Sequence, residues 1–203
     1  TIRKNRIRIL AGLTRLRQIC CHPRLFVDSY KGSSAKFEQL MQIIEESRLS
    51  GRRVLIFSQF TRMLELIGRE LTIRGLPYFY LDGQTPSEDR VEICNRYNDG
   101  ERDYFLISLK AGGTGLNLMS ADTVILYDTW WNPAVEEQAA DRAHRIGQKN
   151  SVQVIKLVAK GTIEEKINEL QDKKRDLIEE IIKSDGQKGT MLTEEDIREI
   201  LML

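Results

Sequence analysis

From residue 53 onward the apolar positions fall into short runs separated by amphipathic stretches. "RVLIFS" (53–58), "YFYL" (78–81), "YFLIS" (104–108), "TVILY" (123–127) and "VQVIKLV" (152–158) are the runs. They are too short for helices and rich in β-branched and aromatic residues, so they predict strands; the unbroken 53–58 run is the mark of a strand covered on both faces. Between them the apolar residues recur at helical spacing over about 61–74, 86–98 and 136–149, and "KFEQLMQIIEES" forms an amphipathic helix ahead of the first strand. Strand and helix alternating in this way predict an α/β fold, a parallel sheet flanked by helices.

The two ends of the chain read differently. Residues 5–20 predict a helix with Ile9, Leu13, Leu16 and Cys20 on one stripe, stopped by Pro23. A polar, Gly/Ser-containing linker follows at 28–36. At the other end, Ile163, Ile167, Leu170, Leu177 and Ile181 trace a stripe along a long helix of about 162–184, with Glu169–Lys173 and Glu179–Lys183 four apart on its polar side. After the break "SDGQKGT", Thr193 and Asp196 form a capping-box-like pair that opens a last short helix.

Composition narrows the class only slightly. The chain has 203 residues, 41% hydrophobic and 30% charged, with no apolar run long enough for a membrane span. It starts on Thr1 inside a charged helical pattern, which predicts a piece of a longer protein. Net charge is +1, so contact with a polyanion has to come from a local patch. Arg3, Lys4, Arg6, Arg8, Arg15 and Arg17 cluster near the start, as an electrostatic footprint or as a solvated helix face. Cys20, Cys21 and Cys94 match no metal-ligand spacing and no even disulfide set. In "CCHP" (20–23) the reading as small buried residues before a proline stop outweighs metal binding, because four spaced ligands are lacking.

Candidate chemistry gathers where the strands end. In open parallel sheets ligands bind beyond the carboxyl ends of the strands. Here those ends run into Ser58-Gln59-Phe60-Thr61, Asp82-Gly83-Gln84-Thr85, the glycine loop "LKAGGTGLN" and Asp128-Thr129-Trp130-Trp131. Gly112, Gly113 and Gly115 permit successive N–H groups to point at an anion, with Lys110 and Thr114 adding a cation and a hydroxyl; a plain structural turn fits the loop equally. The chain has no Gly-Lys and no Asp-Glu dipeptide, so it lacks a P-loop lysine and a Walker-B-type pair. If a nucleotide is involved, this chain holds the second half of its site.

One further stretch, "EEQAADRAHRIGQK" (136–149), bears on that half-site. Projected as a continuous helix, Gln138, Arg142 and Arg145 share one edge, apart from the apolar edge of Ala139, Ala143 and Ile146. Two adjacent guanidiniums suit a phosphate; neutralisation by Glu136, Glu137 and Asp141 on a surface helix is the other reading.

These segments together resemble the Swi/Snf-type ATPases, the DNA-translocating and chromatin-remodelling branch of helicase superfamily two. "QAADRAHRIGQ" is similar to motif VI, "SLKAGGTGLNL" to motif V, "LIFSQFT" to motif IV and "LDGQT" to the short motif after it. "YDTWWNP" resembles the segment between motifs V and VI, and "LRQICCHPRLF" the stretch ahead of the second lobe. The matches run in family order from 16 to 148; motifs I, Ia, II and III have no counterpart.

The resemblance implies a RecA-like second lobe at 35–160, preceded by a helical connector from the first lobe (1–34) and followed by a helical brace or extension (161–203). It implies that Arg142 and Arg145 act as arginine fingers on ATP, bound with Mg²⁺ mainly by the other lobe, and that Gln138, Gly115 and Asp141 belong to the same cleft. It places Ser58, Gln59, Thr61, Gly83, Lys110, Gly113, Thr114 and Trp131 towards double-stranded DNA. Trp131 read alone fits a core aromatic too, and Trp130 departs from the polar or acidic residue usual there, which leaves open which tryptophan faces DNA. The implied partners are the first lobe, duplex DNA and a DNA-bound protein, with no membrane. The implied location is the nucleoid-bearing cytoplasm in a prokaryote and the nucleus in a eukaryote. A non-catalytic nucleic-acid-binding module and a strand-separating helicase are the rival readings.

Overall fold

The computed structural model describes residues 2–112, 115–143, 151–182 and 193–201, apart from the side chains of 2–4, 6, 112, 176–182 and 194. Five strands, β1 (Val54–Ser58), β2 (Tyr78–Leu81), β3 (Tyr104–Ser108), β4 (Thr123–Leu126) and β5 (Gln153–Lys156), form one sheet in the order β2-β3-β1-β4-β5. All four pairings are parallel. The three central strands are wholly buried, which is why their sequences are unbroken apolar runs rather than alternations.

Two apolar layers cover the sheet. Leu55, Phe57, Phe105, Ile107, Val124 and Leu126 point to one face, where α4 (Ser87–Asn98) and α6 (Pro133–Ala140) supply Cys94, Tyr97 and Ala139. Val54, Ile56, Leu106 and Ile125 point to the other, against α2 (Ala35–Leu49) and α3 (Thr61–Ile73), which supply Leu40, Ile44, Met63, Leu64 and Ile67. A four-residue helix, α5 (Leu109–Gly112), opens the stretch read above as a continuous glycine loop and carries Lys110 on its exposed side.

The terminal helices build a third, separate cluster. α1 (Ile2–Cys21), α7 (Ile163–Ile182) and α8 (Glu194–Leu201) join through Leu13, Ile163, Ile167, Leu170 and Ile200. The buried row of α1 is Leu13, Arg17 and Cys21, one residue round from the stripe expected from apolarity; Leu16 is 45% exposed and Cys20 only half-buried. The reason lies at Arg17, whose guanidinium lies over the rings of Trp130 and Trp131. On α7 the described part of the expected stripe is buried, while the side chains of Leu177 and Ile181 lie outside the described residues. The expected Glu169–Lys173 pair is replaced by Lys166–Glu169 at 3.2 Å within α7 and Lys173–Glu199 between α7 and α8. Lys183 lies outside the described residues.

Charged side chains seal the joint between this cluster and the sheet. Lys36, in the first turn of α2, donates to the Tyr127 carbonyl at 3.0 Å and to the Glu164 carboxylate, with both charges buried. Glu164 also accepts from the Ala159 N–H at 2.9 Å. The Tyr127 hydroxyl donates to the Cys21 carbonyl at 2.7 Å and so ties the end of β4 to the end of α1.

The start of α8 is held by the capping pair read in the sequence. The Thr193 N–H donates to Asp196 Oδ2 at 2.7 Å, the Asp196 N–H to Thr193 Oγ1 at 3.1 Å, and Lys174 reaches Asp196 Oδ2 at 2.6 Å. Burial pushes the Asp196 carboxyl up, but the hydrogen bonds from Lys174 and Thr193 outweigh it and hold its pKa below the ordinary value. A depressed carboxylate stabilises above its unfolded pKa, and that contribution is lost as pH falls through the folded one. Asp196→Ala is therefore expected to cost about 1–2 kcal/mol at neutral pH, with the difference from wild type shrinking in acid. Hydrogen exchange of the α8 amides at the two pH values reads this directly.

Candidate functional site

At the carboxyl edge of the sheet, β1 and β4 end side by side on a buried carboxylate. Ser58 Oγ donates to Asp128 Oδ2 and the Gln59 N–H donates to Oδ1 at 3.1 Å, while the Phe60 N–H donates back to Ser58 Oγ at 3.1 Å. Burial pushes the Asp128 carboxyl up, and the Ser58 hydroxyl, the Arg17 charge and the Gln59 N–H pull it back. Ser58, Asp128 and Thr129 are all sealed from solvent. The ends of β1 and β4 are therefore internal fixtures, and Ser58 stands behind the surface it was expected to form. Ahead of it, Gln59 is half-buried and Thr61, in the first turn of α3, is exposed.

Arg17 closes this edge from the α1 side. It is 2% exposed, donates to the Thr129 carbonyl and lies over the rings of Trp131 (4.6 Å), Trp130 (5.6 Å) and Phe60 (5.8 Å). Burial draws its pKa down from the usual arginine value, against the attraction of Asp128. A guanidinium stacked on aromatic faces keeps much of what it loses in hydration. That stack turns α1 so that Arg17 rather than Leu16 points inward. Arg17 is thus neither an exposed footprint nor part of a solvated face; the neighbouring Arg8 and Arg15 are exposed. The sequence carried one signal for it: Leu13, Arg17 and Cys21 are spaced four apart, and two adjacent tryptophans elsewhere need a partner. Both tryptophans are half-buried, and Trp131 also packs on the helical cluster.

The loop after β2 is shaped by Asp82. Its carboxylate accepts from the Gln84 N–H at 2.8 Å and the Tyr80 hydroxyl at 3.1 Å, and its own N–H donates to Thr85 Oγ1 at 3.1 Å. From α4, Arg90 donates to the carbonyls of Thr85 (2.8 Å), Asp82 (3.2 Å) and Gly83 (3.2 Å). Gly83 stays exposed at the tip of this braced turn.

The other group of expected residues lies down the flank. Asn132 caps α6, its Oδ1 accepting from the Ala134 N–H at 2.9 Å, with Pro133 at the first helical position. The helix then ends at Ala140, and 141–143 form a turn. The continuous helix expected over 136–149 is therefore shorter, and Arg145, the third member of the projected edge, lies outside the described residues. Arg142 Nε folds back to the Gln138 carbonyl at 3.1 Å, filling one of the free acceptors at the helix end. The Arg142 carbonyl accepts from the Leu118 N–H at 3.0 Å, so the segment after the glycine loop and the turn after α6 are joined backbone to backbone. Gly115 is exposed with φ +61°, and a Cβ added there would meet nothing within 4 Å, so its backbone conformation and not crowding calls for glycine. Gln138 and Asp141 are exposed.

The acids of α6 do not neutralise Arg142. Glu136 is buried against Lys156 (2.8 Å) and Glu137 reaches Arg175 (3.3 Å). Among the described residues no carboxylate pairs with Arg142. Arg145, Gly113 and Thr114 lie outside the described residues. The eight residues of α6, about 12 Å at 1.5 Å each, lie between Trp131 and Arg142. The expected site thus divides into a carboxyl edge with Gln59, Thr61, Gly83, Lys110 and Trp131, and a flank with Gly115, Gln138, Asp141 and Arg142.

The "CCHP" residues serve the fold. His22 Nδ1 accepts from the Arg24 N–H at 3.1 Å at the start of a 3-10 turn, and its ring meets Tyr30 and Phe37 edge to face. Among the described residues no three His, Cys, Asp or Glu gather as a metal site, and no helix is long and apolar enough to cross a membrane.

Comparison with known proteins completes this picture. Residues 35–147 match the family described as helicase conserved C-terminal domain. The chain is 41% identical over 204 residues to the probable ATP-dependent DNA helicase CHR12 of Arabidopsis thaliana, covering 95% of the chain and 18% of that protein. It is 40% identical over 201 residues to the putative ATP-dependent helicase/translocase YwqA of Bacillus subtilis, covering 96% and 22%. Among solved structures it is similar to the Sulfolobus solfataricus SWI2/SNF2 ATPase core in complex with dsDNA, with 35% identity and a TM-score of 0.76, over 98% of this chain and 43% of that one. The chain spans about a fifth of the length of the curated relatives it matches.

Proposed function

The chain belongs to the helicase conserved C-terminal domain family, in its Swi/Snf branch with the RecA-like fold, and from that premise we propose that it is the second motor lobe of an ATP-dependent translocase on double-stranded DNA. Arg142 and Arg145 reach ATP held on the first lobe, and the carboxyl edge meets the DNA backbone. The observation that supports this reading best is the hydrogen bond from the Leu118 N–H to the Arg142 carbonyl, which joins the glycine-rich segment to an arginine without a carboxylate partner among the described residues.

In this reading Gln138, Gly115 and Asp141 shape the wall of the cleft around Arg142, and the guanidinium meets negative charge that grows on the transferring phosphoryl oxygens. Mg²⁺, held mainly by residues of the first lobe, neutralises phosphate charge when bound. Gln59, Thr61, Gly83, Lys110, Gly113, Thr114 and Trp131 face the duplex; Ser58 positions Gln59 from behind through Asp128. Residues 1–34 lead in from the first lobe, 35–160 form the lobe proper, and 161–203 brace it. A protein bound to the DNA is the natural load of such a motor. Its location follows the host cell, the nucleoid in a prokaryote and the nucleus in a eukaryote.

The 203-residue chain alone is expected to show no ATP turnover above background, with or without duplex DNA, because it carries one side of the nucleotide site. A malachite-green phosphate assay checks this, and turnover by the chain alone would overturn the half-site. Contacts to backbone phosphates predict sequence-independent DNA binding that weakens steeply between about 50 and 200 mM salt.

A further inference from the structure

Three side chains from three helices grip the backbone just before the tryptophan pair's turn into α6. Arg17 of α1 donates to the Thr129 carbonyl. The Trp130 N–H donates to Glu136 Oε1 of α6 at 3.0 Å, and the Trp130 carbonyl accepts from Gln171 Nε2 of α7. Gln171 Nε2 also donates to Glu136 Oε1 at 3.1 Å, and Lys156 of β5 donates to Gln171 Oε1 while pairing with Glu136 Oε2 at 2.8 Å. A lysine only donates, so the amide of Gln171 has one orientation that satisfies every neighbour. Gln171 is 1% exposed and Glu136 4% exposed.

A turn that had only to reverse the chain would satisfy its polar groups locally. Here a residue 41 positions downstream holds the loop and the helix together through one amide. The second tie from α7 to α6, Arg175 to Glu137 at 3.3 Å, is exposed on both sides and contributes little.

We propose that Gln171 is a positioning residue: it locks the Trp130–Trp131 loop and α6 into one rigid body, so that displacement of the loop by DNA is delivered to Arg142 at the far end of α6. This rests on the reading of the two surfaces given above and adds to it the part of α7 that couples them. Neither glutamate nor an apolar residue does the same. Glutamate cannot donate to the Trp130 carbonyl and sets a second buried carboxylate against Glu136; methionine fills the space and leaves the Glu136–Lys156 pair in place, but unties the loop.

The test uses the full-length protein with both lobes. Gln171→Met is expected to lower the DNA-stimulated kcat about tenfold, while the DNA concentration for half-stimulation and the DNA-free rate stay within about twofold. Gln171→Glu is expected to lose more, and adding Glu136→Gln to it to recover stability but not the stimulated kcat, because the repulsion between two carboxylates is relieved while the Trp130 carbonyl still lacks its donor. Wild-type stimulation in Gln171→Met overturns the proposal. So does a fall in melting temperature with kcat per folded molecule unchanged, in that variant or in the exchanged pair. Arg142→Ala run alongside separates the two ideas. If it too keeps wild-type turnover, the reading of the cleft has failed; if it is inactive while Gln171→Met is normal, only the coupling has.

Discussion

Replacing Arg142 with alanine in the full-length protein is expected to cut DNA-stimulated ATP hydrolysis by about 10³-fold, with DNA affinity within about twofold. Few substitutions here would disturb the fold less. The Arg142 carbonyl that accepts from Leu118 is kept by alanine, and among the described residues the only hydrogen bond the side chain gives up is the one to the Gln138 carbonyl at a helix end. A large loss of turnover with the fold intact is the result expected if the guanidinium meets the nucleotide. Arg142→Lys is the sharper control: it keeps the charge but loses the planar fork that spans two phosphate oxygens, and it is expected to remain strongly impaired. Arg145→Ala is expected to behave like Arg142→Ala. Wild-type turnover in either alanine variant would leave DNA binding without a catalytic role as the reading of this chain.

The second large effect is on stability. Lys36→Met is expected to destabilise the 203-residue chain by about 3–5 kcal/mol, because it strands the buried Glu164 carboxylate. Glu164 is fully buried, its Oε2 is shared by Lys36 and the Ala159 N–H, and its Oε1 has no hydrogen-bond partner among the described residues. Lys36 also satisfies the Tyr127 carbonyl at 3.0 Å and sits 5.3 Å from the ring centre of Tyr127. Adding Glu164→Gln should restore a good part of the loss, since the amide still accepts from Ala159 without carrying a charge. Urea denaturation of the single and double variants measures both. A single-variant loss below about 1 kcal/mol would show that water reaches Glu164 and that the pair is not the seal described here.

The three central strands were legible because burial on both faces leaves a local mark, an unbroken apolar run, and the two edge strands because their short runs are rich in β-branched and aromatic residues. The capping pair Thr193–Asp196 was legible for the same reason: its partners lie three residues apart. The stripe on α1 was misplaced by one residue because apolarity alone ranks Leu16 above Arg17, and the aromatic rings that make Arg17 the inward residue arrive from more than a hundred positions away. The helix through Arg142 was drawn too long because Ala, Arg and Gln all favour helix; its end at Ala140 goes with the backbone contact to Leu118. Ser58 was assigned to a surface on its polarity, whereas Asp128, distant in sequence, draws it inside.

What this amino-acid sequence determined by itself was everything set by neighbours along the chain: the alternation of strand and helix, the caps, the glycine-dense segment, the order of the motifs and the missing phosphate-binding pair. Tertiary structure alone decided which polar residues are spent within the fold and which remain free for a ligand. Asp128, Arg17, Glu136 and Gln171 look as available in the sequence as Lys110 or Gln138, yet all four are buried and bonded. A charge or amide is committed by the partner that replaces its water, and those partners are brought together only when the sheet, α1 and α7 close on one another.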